Sequence, residues 1–268
     1  MIKVNEKNLG NCKNILYDDI PSFSGIVVKE SRGDVWVNDL EYPTLAVVYS
    51  EPVGGYAILG NVNSEAAYVL LTEFMDRLVL KTSDCFEFSI EEETLEKRLL
   101  SHFSSKPLQK EYEYFHRIDH SVPEIPFDDY DIQEIDLGII NQLKGGHYTN
   151  GVFLKDMLLE SWSNYDDFID RSIGYIAVDG PKIIGFIVGS SRYHDILPIN
   201  IEVLKDYRKK GIAAKLSQVF VDSCLSKNLI PQWNCVETNS ASIKTAEKIG
   251  FKRFKKKYYY YFKVNEVL

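Results

Sequence analysis

Ile201-Glu202-Val203-Leu204-Lys205-Asp206-Tyr207-Arg208-Lys209-Lys210-Gly211-Ile212-Ala213-Ala214 is the stretch that decides how this chain is read. Ile199, Ile201 and Val203 alternate with Asn200 and Glu202, the period of a strand. From Gly211 onward Ile212, Leu216, Val219, Phe220 and Cys224 recur at helical spacing. Between the two periods lies a cationic turn, Arg208-Lys209-Lys210, closed by Gly211. The first N–H groups of a helix have no intrahelical acceptor, and the aligned peptide dipoles leave partial positive charge there. Such an end accepts a phosphate. Gly211 lacks the Cβ that would hold a pyrophosphate off the backbone, Ala213 is small, and Arg208 can grip phosphate with two N–H groups. The stretch predicts a phosphate-bearing cofactor at this turn.

Two better-known phosphate loops do not fit. There is no Gly-x-x-x-x-Gly-Lys-Ser/Thr, which excludes a nucleoside triphosphatase loop, and no Gly-x-Gly-x-x-Gly for a dinucleotide. There is no Gly-x-Ser-x-Gly elbow for a hydrolase.

Working outward, the 268 residues suffice for two domains. A net charge of −8 argues against a general nucleic-acid binder. No apolar run is long enough to cross a bilayer and the start, Met-Ile-Lys-Val-Asn-Glu, is no signal peptide, so a cytoplasmic protein without membrane partners is expected. Cys12, Cys85, Cys224 and Cys235 are scattered and read as reduced core thiols. His116 and His120 would share a helix face, but Pro123 and Pro126 follow and no third ligand is evident, so no metal site is expected.

The order of elements predicts an α/β protein with a mixed sheet. Residues 34–38, 45–49, 56–59 and 86–90 read as strands, residues 64–81 as a helix, and Glu91, Glu92 and Glu93 open another helix. Nothing in this half has the look of a phosphate loop. Val122 to Asp131, with two prolines and no apolar period, is the expected boundary between domains at 1–124 and 125–268. Beyond it come helices, a hairpin turning at Asp179-Gly180-Pro181, the quoted stretch, a strand from Pro231, and a helix starting at Asn239 and ending in Gly250-Phe251. Lys252 to Lys263 is a strand or hairpin rich in Tyr and Lys.

The pattern Arg208-x-x-Gly211-x-Ala213 resembles the acetyl-CoA pyrophosphate loop of the GNAT superfamily of N-acetyltransferases. A second motif follows in order: Asn239-Ser240-Ala241-Ser242, then Ala246-Glu247-Lys248-Ile249-Gly250-Phe251. Glu202, Pro231-x-Trp233-x-Cys235 and these motifs together look like the zwittermicin-resistance type, which carries an extra N-terminal α/β half. The resemblance implies a C-terminal GNAT fold preceded by a smaller α/β domain, itself readable as a degenerate GNAT-like duplicate. It implies a direct acetyl transfer from acetyl-CoA (coenzyme A) to a primary amine of a small molecule. Lys209, Lys210, Gly211, Ile212, Ala213 and Ala214 would hold the pyrophosphate through backbone N–H groups, with Arg208 beside them. Val203 and Leu204 would meet the pantetheine arm, with Asn239 and Ser242 across from them. Glu202 would be the general base. Many members carry a tyrosine where this chain has Ala246, so the proton donor to the leaving thiolate is left among Tyr207, His147, Tyr148 and Tyr258 to Tyr261. The alternatives are a non-catalytic acyl-CoA-binding or regulatory protein and an acetyltransferase acting on protein amines. The sequence is silent on oligomeric state.

Overall fold

The computed structural model describes residues 1–127 and 129–264. The chain forms two compact units, Met1–Glu113 with Lys257–Leu268, and Tyr114–Lys256. The division differs from the expected one. Val122 to Asp131 lies inside the second unit, and among the described residues 257–264 belong to the first.

In chain order the first unit begins with β1 (Ile2–Lys3), α1 (Pro21–Val27), β2 (Gly33–Val37), β3 (Leu45–Ser50) and β4 (Gly55–Gly60). It continues with α2 (Glu65–Lys81), β5 (Cys85–Ile90), α3 (Glu93–His102) and β6 (Gln109–Arg117), whose last residues fall in the second unit. The second unit adds β7 (Asp131–Glu134), α4 (Leu137–Lys144), α5 (Val152–Ser161), α6 (Tyr165–Arg171), β8 (Gly174–Asp179), β9 (Lys182–Gly189) and β10 (Ile196–Val203). Then follow α7 (Ile212–Ser226), β11 (Ile230–Val236), α8 (Ser240–Ile249) and β12 (Lys252–Lys263), whose residues from Lys257 on fall in the first unit.

The expected strands and helices form within a residue or two, and their caps are the polar residues that preceded them. Ser64, Asp136, Asn164 and Asn239 each accept a hydrogen bond from a free N–H of the first turn. Gly250 ends α8 in the left-handed conformation, at φ 110°. The tail is one strand. Its Tyr260–Lys263 pair with Phe88–Cys85 of β5, and Tyr260 and Phe262 enter a core with Phe86, Phe88 and Phe103. That core placement is why the tail counts with the first unit. Lys257 forms a buried ion pair with Glu91 in the same unit. The short helix α1 carried no sequence expectation.

In the second unit α4, α5 and α6 pack through Ile139, Leu154, Leu158 and Phe168 onto Ile176, Phe186 and Val188. On the other face α7 packs Ile212, Leu216 and Phe220 onto Ala177, Ile184, Ile187 and Val203. β9 is therefore apolar on both faces, which suits a central strand. Cys12, Cys224 and Cys235 are buried as expected, but Cys85 is exposed at the start of β5; all four are free thiols. His116 and His120 do not share a helix. His116 is in β6 with Nδ1 3.2 Å from the Trp233 carbonyl oxygen, and His120 pairs with Asp119.

Candidate active site

β10 has two neighbours along its length. It runs antiparallel to β9 from Ile199↔Gly189 to Val203↔Gly185, and parallel to β11 over Ile196, Leu197 and Pro198 only. Past Pro198 the parallel pairing stops, so the edge of Ile199–Val203 that would face β11 is left without a strand. Backbone groups on a strand edge must pair with something. Into this opening falls a hollow of about 590 Å³, lined by Ile201, Glu202 and Val203, by the turn, by Trp233 of β11, and by one side of α8.

The turn is shaped by two left-handed residues. Lys209 has φ 64° and Gly211 φ 83°. For a lysine this is an uncommon, strained backbone. Left-handed residues alternating with others form a concavity of N–H groups that suits an anion. Among the described residues none of the N–H groups from Lys209 to Ala214 donates to a backbone carbonyl; the first to do so is Lys215, to Gly211 at 3.0 Å. Helix α7 has no side-chain cap and no acid in its first turn. The donor set therefore fits a pyrophosphate, and the side of Gly211 that a Cβ would occupy is open to 3.8 Å, where the Phe127 ring begins.

Charge agrees with shape. Arg208, Lys209, Lys244 and Lys248 line the hollow against one carboxylate, Glu202, although the whole chain carries a net −8. Lys244 and Thr245 escaped the sequence reading, and Lys248 was read only as part of the helix-ending motif. Their spacing with Ala241 along α8 was the available signal, since it puts them on one helix face beside Asn239.

The individual residues divide into groups. Glu202, Val203, Arg208, Lys209, Gly211, Ile212, Ala213, Ala214, Asn239 and Ser242 all line the hollow, whereas Leu204 and Lys210 do not. Lys210 turns its ammonium to the Tyr130 hydroxyl at 3.1 Å and stands over the Tyr207 ring at 4.9 Å. Arg208 is not wholly free for phosphate, because its Nε donates to the Val203 carbonyl at 2.9 Å and so braces the turn against the strand. The Asn239 carboxamide oxygen caps α8 by accepting from Ser242 N–H at 3.1 Å, and the Ser242 hydroxyl accepts from Trp233 Nε1 at 2.9 Å. Glu202 pairs with Phe186 across the ladder, so it stands on the α4–α6 face, opposite Ile201 and Val203. It is exposed.

Of the proton-donor candidates only Tyr207 reaches the hollow. Its hydroxyl donates to Asp179 at 3.0 Å, and that bond holds its pKa above the ordinary tyrosine value. Tyr148 is buried and donates to Gln142, and the His147 ring rests edge-on against it. Tyr258 to Tyr261 belong to the first unit, where Tyr259 and Tyr260 donate to Glu111 and Glu96. Ala246 is fully buried against Val221 and Trp233. A second hollow, about 450 Å³, lies at the start of α2, where several polar groups already have partners: Asn38 bonds Thr44, Asp39 accepts from the N–H groups of Glu41 and Tyr42, and Ser64 accepts from Ala67 N–H. No cluster of metal-ligating side chains and no helix long and apolar enough to cross a membrane occurs among the described residues.

Comparison with known proteins fits this geometry. A stretch of 93 residues, 35% of the chain, is 27% identical to an uncharacterized N-acetyltransferase, YdfB, of Bacillus subtilis and covers 36% of it. Another of 95 residues, 32% of the chain, is 32% identical to N-alpha-acetyltransferase 30 of Schizosaccharomyces pombe and covers 62% of it. The matches thus span less than two thirds of either relative. A tandem GNAT protein from the clavulanic acid biosynthesis pathway shares the fold over 99% of this chain and 98% of its own, with a TM-score of 0.65 at 10% identity. The family model described as GNAT acetyltransferase matches residues 22–261, and the chain belongs to that family.

Proposed function

We propose that this protein is an acetyl-CoA-dependent N-acetyltransferase of the cytoplasm that acts on a primary amine of a small molecule, and that its finer kinship is with the zwittermicin-resistance type. The observation that carries the reading is the opening between β10 and β11, which ends on a cradle of unpaired N–H groups and is lined by four cations. When bound, acetyl-CoA supplies an activated acetyl thioester. The N–H groups of Lys209 to Ala214 hold its pyrophosphate, and the free edge of Val203 holds its pantetheine arm as an added strand would. Lys209, Lys244 and Lys248 neutralise phosphate charge. Glu202 stands across the strand from the arm and takes the proton of the incoming ammonium, which must be lost before nitrogen can attack. Tyr207, the proton-donor candidate that lines the hollow, returns a proton, and its bond to Asp179 fixes its orientation.

A second reading is an enzyme that acetylates protein α-amines. It is favoured by the 32% identity to N-alpha-acetyltransferase 30. Both readings are tested by incubating the protein with acetyl-CoA and either a panel of primary amines or short peptides with free amino ends, and following release of the coenzyme A thiol. Turnover of the small amines supports the first reading and turnover of the peptides alone supports the second. No turnover by a protein that binds acetyl-CoA would leave a binding protein without catalysis.

A further inference from the structure

The segment between β6 and β7 does more than connect. Ile125 is tied to α7 from both sides of its peptide: its N–H donates to Gln218 Oε1 at 3.0 Å, and its carbonyl accepts from Lys215 Nζ at 3.1 Å. Lys215 also donates to Gln218 Oε1 at 3.2 Å, which closes the clasp. From there Phe127 reaches the turn, with Cδ2 and Cε2 at 3.8 and 3.9 Å from where a Cβ of Gly211 would sit. Phe127 meets Tyr130 at 6.2 Å between centroids and 43°, and Tyr130 meets Tyr207 at 5.7 Å and 72°. None of these pairs is stacked face to face, and all three rings are half-buried. Lys210 bridges Tyr130 and Tyr207 through a hydrogen bond and a cation–π contact. The result is a group of aromatic rings, none stacked on another, with the Lys210 ammonium over one face of Tyr130 and of Tyr207, beside the turn at the phosphate end of the hollow, on a segment clasped to the helix whose N-terminus forms that end.

We propose that Phe127 and Tyr130 form a stacking seat for the purine base of the cofactor. The inference rests on the acetyl-CoA reading above. The chemistry is general: a base offers a π-face to any aromatic ring and needs no hydrogen-bond partner to be held. The seat belongs to the segment before the quoted stretch, not to the phosphate turn itself, so the nucleotide end of the cofactor is gripped by a separate piece of chain from the pyrophosphate.

The test compares two ligands that share the pantetheine arm, coenzyme A and 4′-phosphopantetheine, which lacks the nucleoside. Dissociation constants are measured by calorimetry for the wild type, Phe127→Ala, Tyr130→Leu and the conservative Phe127→Tyr. The seat predicts that Phe127→Ala and Tyr130→Leu each weaken coenzyme A by roughly 5- to 50-fold, leave 4′-phosphopantetheine within about twofold, and that Phe127→Tyr restores binding. Equal losses for both ligands would mean that the rings only staple the segment to α7, and no loss for either would mean that the base lies elsewhere; both overturn the seat while the cofactor reading stands. A wild type that binds neither ligand overturns the cofactor reading and the seat with it.

Discussion

The two units contain the same local plan, a strand, a turn, a helix and a parallel strand, yet among the described residues only the second leaves a long unpaired edge between its two parallel strands. In the first unit β4 pairs with β5 from Tyr56↔Phe88 to Ile58↔Ile90, and Glu91 N–H adds a bond to the Ile58 carbonyl, so only Leu59 and Gly60 run on unpaired on that side. In the second unit pairing of β10 with β11 stops at Pro198 and Ile199–Val203 run on. The helix starts differ as sharply. Helix α2 has the Ser64 hydroxyl on the Ala67 N–H and the carboxylate of Glu65 in its first turn. Helix α7 has neither, and three cations precede it. A carboxylate and a cap satisfy a helix end; their absence in α7 leaves the end for an anion. Between the two units, what differs is that α7 and the edge of β10 keep N–H groups without local partners, while α2 is capped and β4 is paired to within two residues of its end.

The largest expected effect is chemical. Glu202→Gln should lower kcat by about 10²- to 10⁴-fold at unchanged affinity for acetyl-CoA, read as thiol release alongside calorimetric binding. A fall in affinity equal to the fall in kcat would move Glu202 from catalysis to cofactor support. Next, Lys244→Ala with Lys248→Ala should weaken acetyl-CoA by about tenfold, and the loss should shrink in high salt as expected of exposed charges. A salt-independent loss would mean that α8 had been distorted instead.

The helix caps then sharpen the contrast between units. Asn239 caps α8 after β11, and Glu92 caps α3 after β5 by accepting from Leu95 N–H at 2.8 Å. Replacing either by alanine should cost about 1 kcal/mol of stability in denaturant unfolding, but only Asn239→Ala should also weaken acetyl-CoA. Similar binding losses from both would remove the distinction.

The smallest effect concerns pH. His116 is fully buried, and burial holds its pKa below the ordinary histidine value. As pH falls below about 6.5 the unfolded chain takes up this proton first, so stability that is present above that pH declines below it. His116→Gln should therefore flatten the acid side of a stability-against-pH profile between about pH 6.5 and 5. An unchanged profile would mean that His116 titrates alike in both states.

Much of this was legible in the sequence because it depends on short-range rules. The period of two in Ile199–Val203, the cap at Asn239 and the left-handed Gly250 are all local, and the strand–turn–helix at Gly211 followed from them. What was not legible depends on pairing between distant segments. That Tyr260 and Phe262 fill the core of the first unit is decided by β5, far away in sequence. The point at which β10 leaves β11 is decided by register, which no residue announces. The left-handed Lys209 carried no sign either, since lysine disfavours that conformation and it is held by the fold. Phe127 and Tyr130 were read as part of a boundary, because prolines and acids around them mask what two half-buried rings do.

The most direct test is a calorimetric titration of acetyl-CoA into three proteins: the wild type, Gly211→Glu in the turn of the second unit, and Asn63→Glu in the corresponding turn of the first. The account predicts one site per chain in the wild type, at least a 100-fold loss in Gly211→Glu from a carboxylate placed among the phosphate-binding N–H groups, and wild-type binding in Asn63→Glu. Undiminished binding by a folded Gly211→Glu, or loss in Asn63→Glu with none in Gly211→Glu, would contradict it.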